Sequence, residues 1–145
     1  MCIRDREGTD ICSINVKALP TSYPYFSTTF SILMRDSNGN RVFHEGHRVN
    51  FRYLSKENIK SDVAILTAEE SKLFGFVELG MNYKKTIKAC ELMGSKKLFI
   101  TGNKPNNTKG FIGNFIKTKG FNTERLSKNI EVFSNEGDIY KFNGE

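Results

Sequence analysis

The most constraining feature of this sequence is one helix whose beginning and end are both marked. Residues Tyr83–Met93 follow Asn82, whose side chain can accept a hydrogen bond from a first-turn amide, and they stop before Gly94. Apolar side chains recur at i, i+4 and i+7 within the segment, which places Tyr83, Ile87 and Cys90 on one face. The spacing predicts an amphipathic helix over 82–93.

Short apolar and alternating runs predict that strands surround this helix. The clearest case is a hairpin: residues 30–34 alternate, Asn38-Gly39 supplies the positive φ angles of a tight turn, and a return strand begins at Arg41. Further strands are predicted at 11–19, 49–53, 63–66, 72–79, 97–101, 131–133 and 139–142. A weaker apolar repeat indicates a second helix near 109–118.

Strands around one clear helix favour an α+β sandwich with a mostly antiparallel sheet. The 145 residues fit a single domain, which we place at 11–145, because single domains most often hold roughly 100–150 residues. Twelve Phe and five Tyr can fill its core although the chain has no Trp. Residues 1–10 are kept apart, since the opening MCIRDR resembles a translated sequencing adaptor of metagenomic reading frames. We expect an artefactual or disordered leader there.

The net charge and the hydropathy of the sequence restrict the cellular compartment and the partners that we expect. Twenty-two Lys and Arg against sixteen Asp and Glu give a net charge of +6, but no five basic residues are consecutive, so nucleic acid is not a favoured partner. The sequence holds no run of 18 apolar residues and no basic-then-apolar leader. We therefore expect a cytoplasmic protein without a membrane partner.

The acidic pair Glu69-Glu70 is the main candidate for chemistry. It lies between two predicted strands, where adjacent carboxylates can hold a cation or share a proton. An ordinary solvated turn explains the same spacing. Aromatic side chains at Tyr23, Tyr25 and Phe26 could stack on a base, although a partly buried aromatic cluster is the commoner outcome.

Metal, phosphate and covalent chemistry find little support in the sequence. His44-Glu45-Gly46-His47 offers two imidazoles without a third ligand nearby, so a surface hairpin is favoured over a metal site. The cysteines form no CxxC motif and lie far from both histidines along the chain. Neither GxGxxG nor GxSxG occurs, so no phosphate loop and no serine elbow are predicted. We expect no metal and no cofactor.

The order of features from Glu69 onward resembles the small phage enzymes that destroy S-adenosylmethionine (SAM), the SAM lyases, formerly called SAM hydrolases. The shared features are Glu69-Glu70 before a strand, Ala89-Cys90 in the helix, the strand at 98–100, and the segments 108–112 and 120–126. The resemblance covers residues 69–145, about half of the chain. The family opens with a strand and a long helix, whereas residues 12–34 predict no such helix.

The resemblance implies a ferredoxin-like fold, a homotrimer, and a SAM-binding site between subunits. It also implies a lyase reaction, in which the carboxylate of SAM attacks its own γ-carbon and releases methylthioadenosine and homoserine lactone, without metal or cofactor. By position the essential acid falls on Glu69 or Glu70, and Tyr53 is the nearest tyrosine that could line the site. Such a phage enzyme would counter SAM-dependent host defence.

Two other hypotheses stay open. Residues 64–79 resemble the central hairpin of GNAT acetyltransferases, and 97–121 resemble their following strand, helix and Gly-Phe ending. Gly80-Met81-Asn82-Tyr83 replaces the amide-rich loop that anchors acetyl-CoA, so this hypothesis favours a GNAT-like fold without activity. The third hypothesis is a non-enzymatic phage protein whose basic surface docks a host protein or nucleic acid.

Overall fold

The computed structural model shows a mixed α+β structure over residues 9–11, 13–25, 29–101, 112–120, 130–132, 137 and 139, which are the residues it describes. Its strands are β1 (Thr9–Ile11), β2 (Ile14–Pro20), β3 (Phe30–Arg35), β4 (Arg41–His44), β5 (Val63–Thr67), β6 (Glu70–Leu73), β7 (Val77–Glu78), β8 (Lys97–Thr101), β9 (Ile116–Lys119) and β10 (Ile130–Val132). The helices are α1 (Phe51–Lys56) and α2 (Tyr83–Met93), and a 3₁₀ turn covers Ile112–Phe115.

The larger sheet changes from antiparallel to parallel pairing across its width. Its described strands stand in the order β1-β2-β3-β4-β5-β8-β10. The first four strands pair antiparallel, whereas β4, β5, β8 and β10 run parallel to one another. Strands β7, β6 and β9 form a separate antiparallel sheet in that order. The chain therefore leaves the large sheet after β5, builds part of the small sheet, and returns through α2 to β8.

The hydrophobic core joins the parallel half of the large sheet to both helices. Alternate residues of β5 and β8 are buried beside residues from α1 and α2, namely Ala64, Leu66, Leu98, Ile100, Leu54, Ala89 and Met93. Fully burying a side chain of the size of Leu or Ile stabilises a fold by about 1.5–3 kcal/mol. This packing fixes α2 against the strand that carries the chain into the small sheet.

Helix α2 and the first tight hairpin confirm two sequence predictions. The side chain of Asn82 accepts the amide of Lys85 at 3.0 Å, and Gly94 ends the helix with a φ of +66°. The buried face nevertheless runs through Thr86, Ala89 and Met93, while the predicted face of Tyr83, Ile87 and Cys90 packs only at the edge of the core. The hairpin between β3 and β4 forms as predicted, with a φ of +88° at Gly39, although Asn38 does not share the predicted positive φ.

The strand predicted at 49–53 is wrong, because these residues enter helix α1. Asn50 caps this helix, and its side chain accepts the amide of Tyr53 at 3.0 Å. Val49 before the cap and Leu54 within the helix are both buried in the core. A run of apolar residues this short fits the periodicity of a helix as well as that of a strand. The cap and the contacts with the core therefore decide the conformation.

The chain does not form one hairpin over 64–79. Strand β5 pairs with β4 and β8, whereas β6 pairs with β7 and β9, so the chain crosses between the two sheets at Ala68 and Glu69. The ferredoxin-like sandwich is not confirmed, because the strands divide between two sheets and half of the larger sheet is parallel. The antiparallel prediction holds for the first four strands and for the small sheet.

The helix predicted near 109–118 is also wrong over the part that the structure describes. Ile112–Phe115 is a 3₁₀ turn, and β9 follows at once and pairs with β6. The strand predicted at 11–19 is divided by a turn in which Ser13 has a φ of +68°. Residues 1–8, 102–111, 121–129 and 140–145 lie outside the described residues, and with them parts of the predicted leader and of the C-terminal strand.

None of the described helices has both the length and the apolar character needed to cross a lipid bilayer.

Candidate functional site

A cleft of about 320 Å³ lies where the carboxyl ends of β4 and β5 face the small sheet. Thr67 ends β5, and His47 follows shortly after β4. Ser71 and Thr118 face the cleft from paired positions on β6 and β9. Ligands commonly bind beyond the carboxyl ends of parallel strands, because the loops diverge there and leave space. This cleft is therefore the candidate site.

A buried acid behind Thr67 joins the ends of the two parallel strands. Oε1 of Glu45 accepts a hydrogen bond from the amide of Thr67 at 2.8 Å and another from the Thr67 hydroxyl. Glu45 is 4% exposed, and its Oε2 has no hydrogen-bond partner within the described structure. Burial raises the pKa of Glu45 to about 8, against the smaller lowering effect of the hydrogen bonds from Thr67. At neutral pH this carboxyl group is therefore protonated.

Helix α2 holds Thr67 from the other side. The hydroxyl of the buried Thr86 donates to the carbonyl oxygen of Thr67 at 2.7 Å. Thr67 therefore has its amide and hydroxyl hydrogen-bonded to Glu45 and its carbonyl hydrogen-bonded to Thr86. With these groups committed, the side chain that lines the cleft has a fixed orientation.

The small sheet brings a carboxylate to the cleft. Glu69 lines it, and the hydroxyl of Ser71 donates to Oε1 of Glu69 at 3.2 Å. Among the described residues, no Lys or Arg makes an ion pair with Glu69, and none lines the cleft. A Cβ at Gly80 would lie 2.2 Å from the carbonyl oxygen of Glu69, so only glycine permits this close approach.

Two rings form the opposite wall of the cleft. The rings of Tyr25 and His47 lie with their centroids 4.7 Å apart. His47 has a φ of +99°, a conformation that side chains other than glycine rarely adopt. Such backbone strain costs about 1–3 kcal/mol and concentrates at functional sites. Burial raises the pKa of the Tyr25 hydroxyl against the lowering effect of the Arg48 charge, so this group is neutral at physiological pH.

A partly buried ion-pair network holds the loop after β4 against the small sheet. Arg48 donates to the carbonyl oxygens of Tyr23 and Glu78, each at 2.9 Å, and to Oε2 of Glu78 at 2.8 Å. Lys85 on α2 pairs with the same Glu78 oxygen. The hydrogen bond from Lys85 is the largest cause that lowers the pKa of Glu78, and the charges of Lys85, Arg48 and Lys72 add to it against desolvation. The network fixes the segments that carry the two rings.

The structure brings Glu69 into the cleft but neither Glu70 nor Tyr53. Glu70 begins β6, forms an ion pair with Lys72 at 2.6 Å, and lines a different cleft of about 430 Å³ next to Tyr83. Tyr53 belongs to α1 and packs against the core. Successive residues of an extended chain point to opposite sides, which separates the two neighbouring carboxylates.

Sequence reasoning missed Glu45, Thr67 and Ser71 as site residues. The surface hairpin predicted for the histidine motif is wrong at Glu45, which is buried, and its neighbours His44 and Gly46 give no local signal of that burial. The burial depends on a close approach of this loop to β3, since a Cβ at Gly46 would lie 2.0 Å from the carbonyl oxygen of Phe30. Tyr25 was predicted to stack or to be partly buried, and it packs against His47.

Comparisons with known proteins identify the fold but no family. Neither a protein-family model nor a curated protein sequence matches the chain. Among solved structures, the chain is similar to one from Thermotoga maritima that is assigned to the Zn-dependent hydrolases of the metallo-β-lactamase superfamily. The identity is 16%, the TM-score is 0.51, and the match covers 88% of this chain and 68% of that one. At this identity the similarity shows the fold alone.

This similarity overturns the resemblance to SAM lyases. The described elements match the fold of the metallo-β-lactamase hydrolase, and the strands of the two sheets do not form a ferredoxin-like sandwich. The features shared from Glu69 onward were short local signals, each of which occurs in many folds. Two of them, the segments 108–112 and 120–126, lie almost entirely outside the described residues.

The residues of the cleft do not fit a zinc ion of the kind that the similar hydrolase is assigned to use. Protein zinc sites need three or four donors from Cys, His, Asp or Glu, each about 2.0–2.3 Å from the metal. No group of three such side chains comes together in the part of the chain that the structure describes. His47 packs on Tyr25, and Glu45 is hydrogen-bonded behind Thr67. This donor set supports no reaction step through zinc.

Proposed function

We propose that the cleft binds a small organic cation and that Glu69 supplies the counter-charge. The observation that carries this proposal is the Glu69 carboxylate, which lines the cleft without an ion-pair partner among the described residues. Removing a charged group from water is unfavourable unless an opposite charge or hydrogen bonds compensate. A positively charged ligand supplies that compensation and would draw binding energy from it.

The size and lining of the cleft agree with a metabolite. A volume of about 320 Å³ is at the lower end of the range found for small-molecule sites, roughly 300–1,000 Å³. Leu79 and Ile116 add apolar surface beside the two rings. Such a lining accepts the carbon skeleton of a ligand while the carboxylate binds its charged end.

Two neighbouring glutamates provide a matched test of this proposal. We expect 2-phenylethylammonium or SAM to bind the wild-type protein in isothermal titration calorimetry. Glu69→Gln should weaken binding by about tenfold or more, because a charge-assisted contact is lost. Glu70→Gln makes the same chemical change one residue away and should leave the affinity unchanged, since Glu70 pairs with Lys72 outside this cleft. Equal losses for the two variants would contradict the assignment.

SAM is the specific ligand that the resemblance implied, and its binding and cleavage stay predictions. SAM carries a sulfonium and an ammonium group, so it belongs to the proposed class of ligand. What supports it here is the position of Glu69 in the cleft. Incubation of the protein with SAM, followed by chromatography, should yield methylthioadenosine. If SAM binds but no methylthioadenosine forms, the protein binds SAM without cleaving it. If SAM does not bind, the prediction of SAM as the ligand is wrong.

A further inference from the structure

Two of the hydroxyl groups that line the cleft have their protons committed to acidic side chains. The hydroxyl of Thr67 donates to Glu45, and the hydroxyl of Ser71 donates to Glu69 at 3.2 Å. A hydroxyl has one proton and two lone pairs. Once its proton is used, each of these groups offers only an acceptor to a ligand in the cleft.

The buried acid fixes the direction of the first of these hydrogen bonds. Oε1 of Glu45 also accepts a hydrogen bond from the backbone amide of Thr67, and a backbone N–H can only donate. This oxygen therefore acts as an acceptor toward both groups of Thr67. The hydroxyl of Thr67 is the donor in the pair.

Glu69 and these two hydroxyl groups are consequently three acceptors in the lining of the cleft. Glu69 contributes a carboxylate, and Thr67 and Ser71 contribute hydroxyl lone pairs from the two flanking strands. A ligand that binds here satisfies these acceptors only if its charged group carries N–H donors. A quaternary ammonium or a sulfonium has the same charge but no such donor.

We propose that the cleft selects protonated primary or secondary amines over cations without N–H groups. This inference rests on the proposed function, because it names the class of cation that Glu69 receives. Recognition of a quaternary cation by aromatic rings is the competing mode, since such sites surround the cation with ring faces. Here the ring of His47 lies against Tyr25 with centroids 4.7 Å apart, so the two rings pack on each other instead of forming such a cage.

The test compares three probes of one skeleton by isothermal titration calorimetry at neutral pH. They are 2-phenylethylammonium, its N,N,N-trimethyl analogue, and 2-phenylethanol. We expect the ammonium to bind about tenfold or more tightly than the trimethyl analogue, because the analogue leaves acceptors unpaired. The neutral alcohol should bind more weakly than the ammonium, because it lacks the charge.

Two variants connect this selectivity to the hydroxyl groups. Thr67→Val and Ser71→Ala each remove one acceptor and should reduce the preference for the ammonium over the trimethyl analogue. Ser55→Ala, an exposed change on α1, should retain the preference. Circular dichroism and thermal unfolding identify any variant that fails to fold, and the three-probe comparison on the wild-type protein does not depend on the variants.

The outcomes separate this inference from the proposed function. If the trimethyl analogue binds as tightly as the ammonium and Glu69→Gln weakens both, the amine selectivity is wrong while cation binding stands. If neither cation binds more tightly than the alcohol, the proposed function fails and the inference fails with it. A preference for the ammonium that both hydroxyl variants reduce supports the inference.

Discussion

Glu45 accepts both the amide and the hydroxyl of Thr67, so one buried carboxyl group joins the ends of two neighbouring parallel strands. The amide bond is 2.8 Å long, and Glu45 itself is 4% exposed. An acid in this position is acceptable in the interior because it is protonated and hydrogen-bonded. The contact therefore ties the orientation of a cleft residue to the protonation state of a group that the solvent hardly reaches.

This relationship predicts a loss of stability as the pH rises. Burial raises the pKa of Glu45 from 4.5 in the unfolded chain to about 8, so between these values the folded protein holds a proton that the unfolded chain has released. The free energy of unfolding should therefore fall as the pH rises through this range and level off above it. Since one pKa unit equals about 1.4 kcal/mol, the fall should be roughly 3–5 kcal/mol.

The measurement is urea denaturation at about pH 5 and about pH 8.5, with Glu45→Gln as the control. The amide keeps the size of the side chain and an acceptor for Thr67, but it does not titrate. The stability of the wild type relative to Glu45→Gln should decrease between the two conditions. A constant difference would show that Glu45 is not protonated in the folded protein.

The backbone conformation of His47 predicts a second effect on stability. Its φ of +99° strains any residue that has a Cβ, whereas glycine adopts this angle freely. We expect His47→Gly to be about 1 kcal/mol more stable than His47→Ala, since both variants lose the ring and only one loses the strain. Thermal unfolding of the two variants tests this directly. Equal stabilities would mean that the backbone at this position is not strained in solution.

The ion pair between Arg48 and Glu78 predicts a measurable coupling between the loop after β4 and the small sheet. Their side chains are mostly shielded from solvent, and Nη2 lies 2.8 Å from Oε2. A double-mutant cycle with Arg48→Ala and Glu78→Gln should give an interaction energy of about 1–3 kcal/mol. The same cycle with Lys56→Ala and Glu57→Gln, an exposed pair with 3.8 Å between its charged atoms, should give less than about 1 kcal/mol.

The ion pairs of Glu78 also predict that the stability of the protein is sensitive to acid. The pKa of Glu78 is lowered below its ordinary value of 4.5, chiefly by Lys85. The folded state therefore releases the proton more readily than the unfolded chain, and the stabilisation is present above that ordinary value and lost as the pH falls below it. In acid, the stabilities of wild type and Glu78→Gln should converge. A wild-type advantage that persists in acid would contradict the role of the charge.

Gly80 predicts a steric dependence of the cleft on glycine. A Cβ at this position would meet the carbonyl oxygen of Glu69 at 2.2 Å, and that oxygen is backbone, which cannot move away easily. Gly80→Ala should destabilise the protein by about 1–3 kcal/mol and weaken ligand binding. Gly75→Ala is the comparison, because nothing lies within 4 Å of its Cβ position and only its φ of +79° opposes alanine. It should leave ligand binding unchanged.

The local sequence determined the elements whose signals are complete within a few residues. Asn82 and Gly94 mark both ends of α2, and Gly39 supplies the positive φ of the turn between β3 and β4. Strands β5 and β8 followed from short apolar runs. In each case the energetic preference belongs to the segment itself, so no distant contact was needed to predict it.

Tertiary structure alone decided the sheet partners and the composition of the cleft. The pattern at 64–79 was equally compatible with one hairpin and with the observed passage from β5 into a second sheet, because pairing is set by contacts with strands distant in the chain. The burial that keeps Glu45 protonated and the approach of His47 to Tyr25 arise only after those strands pack. The hydrophobic periodicity of a segment identifies its buried face. The site depends on which segments pack against one another, and periodicity does not contain that information.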